Sequence, residues 1–363
     1  MKGIIIGGGI IGLSIARELN KNGYDVTVVE IYRVGRGASW SAGGMLAPQS
    51  EGLRPGTFLD FCLESRDMYE TFVRSLQRET DMDVGYWKCG ILCPAFSEEE
   101  EEELKGRIKI YADMGLEGKW IDRKTLEGFY HKLGEEIRGG ALFPDDAQVD
   151  NRLLMLALEK YARSRRIELL EFTEASEIIE ENGRFAAVQT KKGIVEGDFC
   201  VITAGAWSDH FIKSHVFPVK GEMAAIDITR KDIDRIIFSS RAYLIPRKDY
   251  KRLVIGATEE MVGFKDGNTV KGLMHLFKGL EDTLPYLINR NVQETWFGYR
   301  PATPDLLPVL GKTEIENLYI ATGHYRNGIL LAPITAKVMF DLIDKGIESH
   351  YLKEFSINRF TNE

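Results

Sequence analysis

The sequence predicts an α/β protein built from two interleaved domains, a Rossmann-like dinucleotide-binding domain and a second domain of antiparallel sheet. Three observations predict it. A glycine-rich turn joins an apolar strand to a helix at the amino terminus, a similar strand-turn-helix closes the chain, and the stretches between alternate apolar and polar residues. At 363 residues the chain exceeds the length at which one hydrophobic core stops growing, which favours two packed domains. Hydrophobic residues at 44% and charged residues at 28% are ordinary globular proportions, which excludes a long disordered or fibrous stretch.

Lys2 to Ile6 reads as a buried parallel strand, and Gly7, Gly9 and Gly12 supply the G-x-G-x-x-G turn that opens a helix reaching about Asn20. One glycine permits the tight turn, one lets backbone approach a pyrophosphate, and one lets helix and strand pack. The helix start supplies free N–H groups and positive dipole for the anion. Asn22 and Gly23 end the helix, Asp25 to Val29 form the second strand, and Glu30 falls at its end, eighteen residues beyond Gly12. A carboxylate there accepts hydrogen bonds from ribose hydroxyls and repels the extra phosphate of NADP. Residues 33–48 then form a loop rich in small residues, suited to close passage along an extended cofactor.

Residues 81–144 and 217–303 carry the alternating pattern of the second domain, leaving 1–80, 145–216 and 304–363 to the dinucleotide domain. Ser97 followed by six carboxylates at 98–103 reads as a capped helix start whose acidic first turn suits the dipole. Near the other end, residues 317–321 read as a strand, 322–327 as a polar turn and Gly328 onward as an apolar helix to about Ile343.

A net charge of −8 gives no basic field, so nucleic acid and anionic membrane surfaces are excluded as partners. The opening MKGIIIGGG is too short and broken for a signal core or membrane span, which predicts a cytoplasmic protein with Cys62, Cys89, Cys93 and Cys200 as reduced thiols. The CGILC spacing lacks the further ligands a metal site needs, so no metal is expected.

Several runs in order carry a resemblance: GGGIIG, ASWSAGGML (38–46), FCVITAGAWS (199–208), PVKGE (218–222), AYLIPRK (242–248), GYRPATPDLLPVLG (298–311) and GHYRNGILLAP (323–333). Across nearly the whole chain the sequence resembles the amino-acid oxidase family of flavoproteins, which includes D-amino-acid oxidase, sarcosine oxidase and, nearest, the glycine oxidase of thiamine biosynthesis. The resemblance implies a glutathione-reductase-type, D-amino-acid-oxidase-like fold and FAD rather than NAD. It implies that Ile10, Ile11, Glu30, Ile31, Ala38, Ser39, Gly43, Gly44 and Met45 line the FAD, with Ala175 touching the adenine through its backbone. Gly205 and the run His324, Tyr325, Arg326, Asn327, Gly328, Ile329 and Leu330 are assigned to the cofactor likewise, the last helix facing the flavin ring. Relatives that tether FAD use a cysteine in the carboxy-terminal part or an amino-terminal histidine. Here the last cysteine is Cys200 and the first histidine His131, so non-covalent FAD is expected.

On the substrate side, a bidentate arginine is the strongest planar partner for a carboxylate, and Arg300 in GYRPAT is the candidate. By resemblance Tyr243 lies beside that carboxylate, and Arg326 adds a substrate contact to its flavin contacts. His324 serves the turn or caps the helix and receives no catalytic role. Arg241 and Glu259 depart from close relatives, which carry histidine and an apolar residue; facing the pocket they would pair, narrow it or select a polar substrate, and facing solvent they would change nothing. The implied reaction needs no protein base: an amino acid with a neutral amine passes hydride from its α carbon to flavin N5, and orientation carries the catalysis. Oxygen then yields hydrogen peroxide, and the imine hydrolyses or serves thiazole formation, giving glyoxylate and ammonia from glycine. Small amino-acid substrate and O2 are thus the expected partners, in a homotetramer by analogy with relatives. A D-amino-acid or proline dehydrogenase feeding a quinone, a non-enzymatic flavin-binding protein and a nicotinamide-dependent dehydrogenase are the competing readings.

Overall fold

The computed structural model describes residues 1–360. Two large sheets organise them. The first has six strands in the order Val309–Lys312, Leu318–Thr322, Phe199–Ile202, Lys2–Ile6, Asp25–Val29 and Glu168–Leu170. Neighbours run parallel except Val309–Lys312, an antiparallel edge. Such strands are covered on both faces and read as continuous apolar runs, and Ile4, Ile5, Val28, Val201 and Ile320 are fully buried. All six strands lie within 1–80, 145–216 and 304–363.

The first helix, Ile10–Lys21, follows the Gly7 turn as the sequence predicts and ends at Asn22. It packs on the apolar helix Gly328–Lys345, joining the two ends of the chain in one core with Leu13, Ile15, Leu331 and Met339. The small-residue stretch 33–48 is more structured than a loop: one helical turn, Ala38–Ser41, and a short strand, Met45–Leu46, lie inside it. A separate three-stranded antiparallel sheet, spanning Ala175–Glu181, Arg184–Thr190 and Gly193–Glu196, sits within 145–216.

The second large sheet has eight strands in the order Val292–Ala302, Phe217–Ile226, Leu253–Gly256, Tyr243–Pro246, Ile236–Phe238, Ile91–Ala95, Gly139–Phe143 and Lys119–Asp122. It is antiparallel apart from one parallel pairing between Ile236–Phe238 and Ile91–Ala95. Ser97 caps the helix Glu98–Asp113, its hydroxyl accepting from the Glu100 N–H at 3.2 Å, while the Glu100 carboxylate accepts from the Phe96 N–H at 2.6 Å. All four cysteines are free. Among the described residues no cluster is fit to hold a metal, and no helix is long and apolar enough to cross a membrane.

Candidate active site

One cavity of about 970 Å³ opens at the carboxyl ends of the parallel strands, where ligands enter such sheets, and continues to the face of the eight-stranded sheet. Gly7, Glu30, Thr203 and Thr322, each ending or following a parallel strand, line it. Gly7 has φ +105°, and a Cβ there would stand 2.5 Å from the Thr203 carbonyl, so only glycine serves. Gly12 does not line the cavity: its missing Cβ, 2.1 Å from the Gly7 carbonyl, lets the helix press on the turn.

The helix Ile10–Lys21 starts at Gly9, which has no side chain to cap it. Ser39, from the turn at 38–41, supplies a substitute by accepting from the Ile10 N–H at 2.9 Å. Gly9, Ile10, Ile11, Ala38 and Ser39 all face the cavity. Glu30 accepts from the Gly8 N–H at 2.8 Å and the Tyr32 N–H at 3.0 Å. Burial pushes its carboxyl up, and these two N–H groups pull it back. Ile31 and Ala175 flank this end.

Gly43, Gly44, Met45 and Gly205 also line the cavity. The buried Arg247 guanidinium holds the first two in place, donating to the Gly43 carbonyl at 3.0 Å and to Asn151 at 2.8 Å. The second helix start, Gly328 and Ile329, opens on the same cavity with no side-chain cap at Asn327. Two helix amino termini therefore face one space, the first capped only by Ser39 at the Ile10 N–H and the second with no side-chain cap, an arrangement suited to an extended dinucleotide with a central pyrophosphate and a ring that gains negative charge on reduction. These residues fit FAD.

Asn327 and Leu330 lie outside the lining. Leu330 is buried, its carbonyl accepting from Ser65 at 2.6 Å, and the Asn327 amide donates to Glu51 at 3.2 Å. His324 lines the cavity but does not cap the helix; its Nε2 meets the Thr335 hydroxyl at 3.1 Å, well along the helix. Burial pushes the imidazole down to about 3, so the ring is neutral. Tyr325 stands at φ +47°, and its N–H donates to the Pro301 carbonyl at 2.9 Å.

The substrate end follows from sheet register. Arg300 pairs with Val219, Gly298 with Gly221, and Met223 with Gly256, which pairs with Tyr243. Directly paired residues share a face, so Arg300, Gly298, Gly221, Met223, Gly256 and Tyr243 occupy one side. The glycines hollow that side. A Cβ on Gly221 would stand 2.5 Å from the Arg300 guanidinium, and one on Gly256 would stand 2.2 Å from the Tyr243 ring. Arg300 Nη1 donates to the Thr258 carbonyl at 3.0 Å, and the Tyr243 hydroxyl donates to Met223 Sδ at 3.2 Å. Burial pushes the Tyr243 phenol up, and the Arg300 charge opposes it. Arg300 lies inside the strand Val292–Ala302, two residues before its end.

Arg241 and Glu259 both line the cavity but do not pair with each other. Arg241 binds Glu136 and Asp282. Glu259 takes the Tyr325 hydroxyl at 2.6 Å and the Arg326 guanidinium, so the Arg326 side chain is held by a carboxylate instead of lying free toward a ligand.

Sequence reasoning missed Glu51, a carboxylate facing the cavity from the loop after Met45–Leu46. That loop is fixed from beneath by Asp146, which accepts from the Ser50 N–H at 2.8 Å and the Ser50 hydroxyl at 2.7 Å and pairs with Arg66 at 3.3 Å. The available signal was a single carboxylate inside the small and uncharged run MLAPQSEG.

The model of the FAD dependent oxidoreductase (DAO) family matches residues 3–342. The bifunctional protein ThiO/ThiG of Trichormus variabilis is 37% identical over 99% of this chain and 55% of its own length. The chain thus spans about half the length of the bifunctional relatives it matches. The glycine oxidase of Bacillus licheniformis is 31% identical over 98% of this chain and 96% of that protein. The crystal structure of glycine oxidase from Geobacillus kaustophilus superimposes with a TM-score of 0.93 at 31% identity, covering 98% of each chain. With the fold, the two helix starts and the family model in agreement along the chain, this protein belongs to the FAD-dependent oxidoreductases of the DAO family.

Proposed function

We propose that this protein oxidises the carbon–nitrogen bond of glycine, or of another amino acid as small, using non-covalently held FAD and O2. The observation that carries the reading is the pair Arg300 and Tyr243 on one glycine-hollowed face of the eight-stranded sheet, lining the same cavity that Glu30 lines from the parallel sheet. Relatives named glycine oxidase, matched over nearly their whole length, support the substrate. Relatives in which a similar chain is joined to ThiG support a role in making the thiazole of thiamine.

In this reading Gly7, Gly9 and the start of the first helix hold the pyrophosphate, and Glu30 takes the ribose hydroxyls. Gly43, Gly44, Met45 and the start of the helix Gly328–Lys345 hold the ring end. Gly12, Asn327 and Leu330 act from behind the lining. Residues 1–80, 145–216 and 304–363 form the FAD domain, and 81–144 and 217–303 the substrate domain. When bound, FAD supplies the acceptor for the hydride leaving the substrate α carbon and passes the electrons to O2 as peroxide. Arg300 binds the substrate carboxylate, Tyr243 aligns it, and the apolar walls exclude water; positioning of this kind is where catalysis by such a site arises. A cytoplasmic homotetramer belongs to the same proposal.

The test is oxygen uptake by the FAD-loaded protein with glycine, sarcosine, D-alanine and proline, with assay of peroxide and glyoxylate. Uptake with glycine and equal yields of peroxide and glyoxylate supports the reading. Reduction of a dye without oxygen uptake would replace the oxidase with a dehydrogenase.

A further inference from the structure

Glu51 is an unusual group to leave facing a substrate cavity. An ionised carboxylate has about four acceptor positions, yet among the described residues one donor, the Asn327 amide at 3.2 Å, reaches it. It lies deep, and burial pushes its carboxyl up against the charges of Arg326 and Arg300 and the Asn327 hydrogen bond; Asp146 adds a further push upward. The Arg326 charge opposes that push, but its guanidinium makes its ion pair with Glu259 and none with Glu51. Asp146, Ser50 and Arg66 brace the backbone just before Glu51, which fixes where its side chain enters the cavity. A carboxylate fixed in this way is costly unless a cation or donor completes it.

The same cavity holds Arg300, whose charge acts on both Glu51 and Tyr243. One positive and one negative group thus face a shared space, with a neutral tyrosine beside the positive one. A small amino acid carries the complementary pair, a carboxylate and an ammonium two bonds apart. Resting on the amino-acid reading above, we propose that Glu51 is the amine subsite, binding the substrate ammonium and taking one proton from it so that the amine is neutral when hydride leaves, while Arg300 receives the carboxylate. The pair makes the site a receptor for a zwitterion and orients the α carbon between its two anchors. An acid without an amine leaves Glu51 facing the bound carboxylate with nothing between them, which disfavours it. Glu259 has a part in this arrangement: by binding the Arg326 guanidinium it keeps that group from forming an ion pair with Glu51, although the Arg326 charge still acts there.

The experiment compares two ligands in the FAD-loaded protein and its Glu51→Gln variant. Acetate affinity is read from the perturbed flavin spectrum, and glycine affinity from the concentration dependence of anaerobic flavin reduction. In Glu51→Gln glycine is expected to weaken by about 10-fold or more, the loss of a charged hydrogen bond, while acetate binds as well as before or more tightly. A structural fault weakens both, so equal weakening of the two ligands overturns the proposal, as does unchanged glycine affinity. If Glu51→Gln does not hold FAD, Glu51→Asp serves: the shorter carboxylate is expected to lower the preference for glycine over acetate by several-fold, and an unchanged preference overturns the assignment. Failure of the wild-type flavin to be reduced by any amine removes the amino-acid reading itself, and this proposal with it; reduction of the wild type with an indifferent variant removes only the role of Glu51.

Discussion

Arg326 and Glu259 clasp each other at the rim of the cavity, both half-exposed at 42% and 49%, with the Tyr325 hydroxyl donating to the same carboxylate at 2.6 Å. Partial burial pushes the Glu259 carboxyl up, but the Tyr325 hydrogen bond and the Arg326 charge outweigh it and hold the group below the usual carboxylate range. Glu259→Ala frees Arg326, whose charge already acts on Glu51, to move toward it. Glycine affinity is then expected to fall several-fold with FAD still bound, measured as the half-saturating glycine concentration for flavin reduction. Unchanged affinity would mean the clasp has no influence on the site.

Arg300→Ala is expected to weaken glycine binding about 10- to 150-fold, the equivalent of about 1.5–3 kcal/mol for hydrogen bonds to a charged group. FAD content stays that of the wild type, since Arg300 stands on the eight-stranded sheet and not among the helix starts and Glu30 assigned to the cofactor. Gly221→Ala tests the same contact from beneath. Its methyl would meet the guanidinium at 2.5 Å, and a flexible arginine yields where backbone would not, so substrate affinity falls more than thermal stability.

Glu30→Gln is expected to weaken FAD binding by about 1–3 kcal/mol, because the amide cannot accept from both the Gly8 and Tyr32 N–H groups and the ribose as a carboxylate does. Titration of cofactor-free protein with FAD measures this. Glycine affinity of the fully loaded variant should match the wild type.

His324 provides a pH prediction. Its folded value of about 3 lies below the ordinary 6.5, so the unfolded chain binds the extra proton. The resulting stability is complete above pH 6.5 and is lost as the pH falls toward 3. Between pH 6.5 and 5, wild type should lose about 1.6 kcal/mol more than His324→Gln in urea unfolding, the slope rising from half a proton at pH 6.5 toward one proton, about 1.36 kcal/mol per pH unit, at pH 5. Parallel losses in the two proteins would contradict a buried neutral imidazole.

The amino-terminal strand, turn and helix, the carboxylate at Glu30 and the helix start at Gly328 were legible because each is a local pattern with a local cause. Arg300 and Tyr243 were legible only through resemblance, since their shared face depends on the register of four strands far apart in sequence. The Glu259 clasp and the exposure of Glu51 to the cavity were not legible at all. Both depend on where loops at 51, 259 and 326 meet, and periodicity carries no information about that meeting. Gly12, Asn327 and Leu330 show the converse: motif membership places a residue near the cofactor without stating whether it faces the cavity or packs behind it.

The most direct test is to mix the FAD-loaded protein with glycine in the absence of oxygen and follow the blue absorption of the flavin. Bleaching that saturates with glycine, and returns when air is admitted, is the predicted result. A yellow protein whose spectrum neither glycine nor any other small amine alters would contradict the placement of a substrate carboxylate on Arg300 beside the flavin.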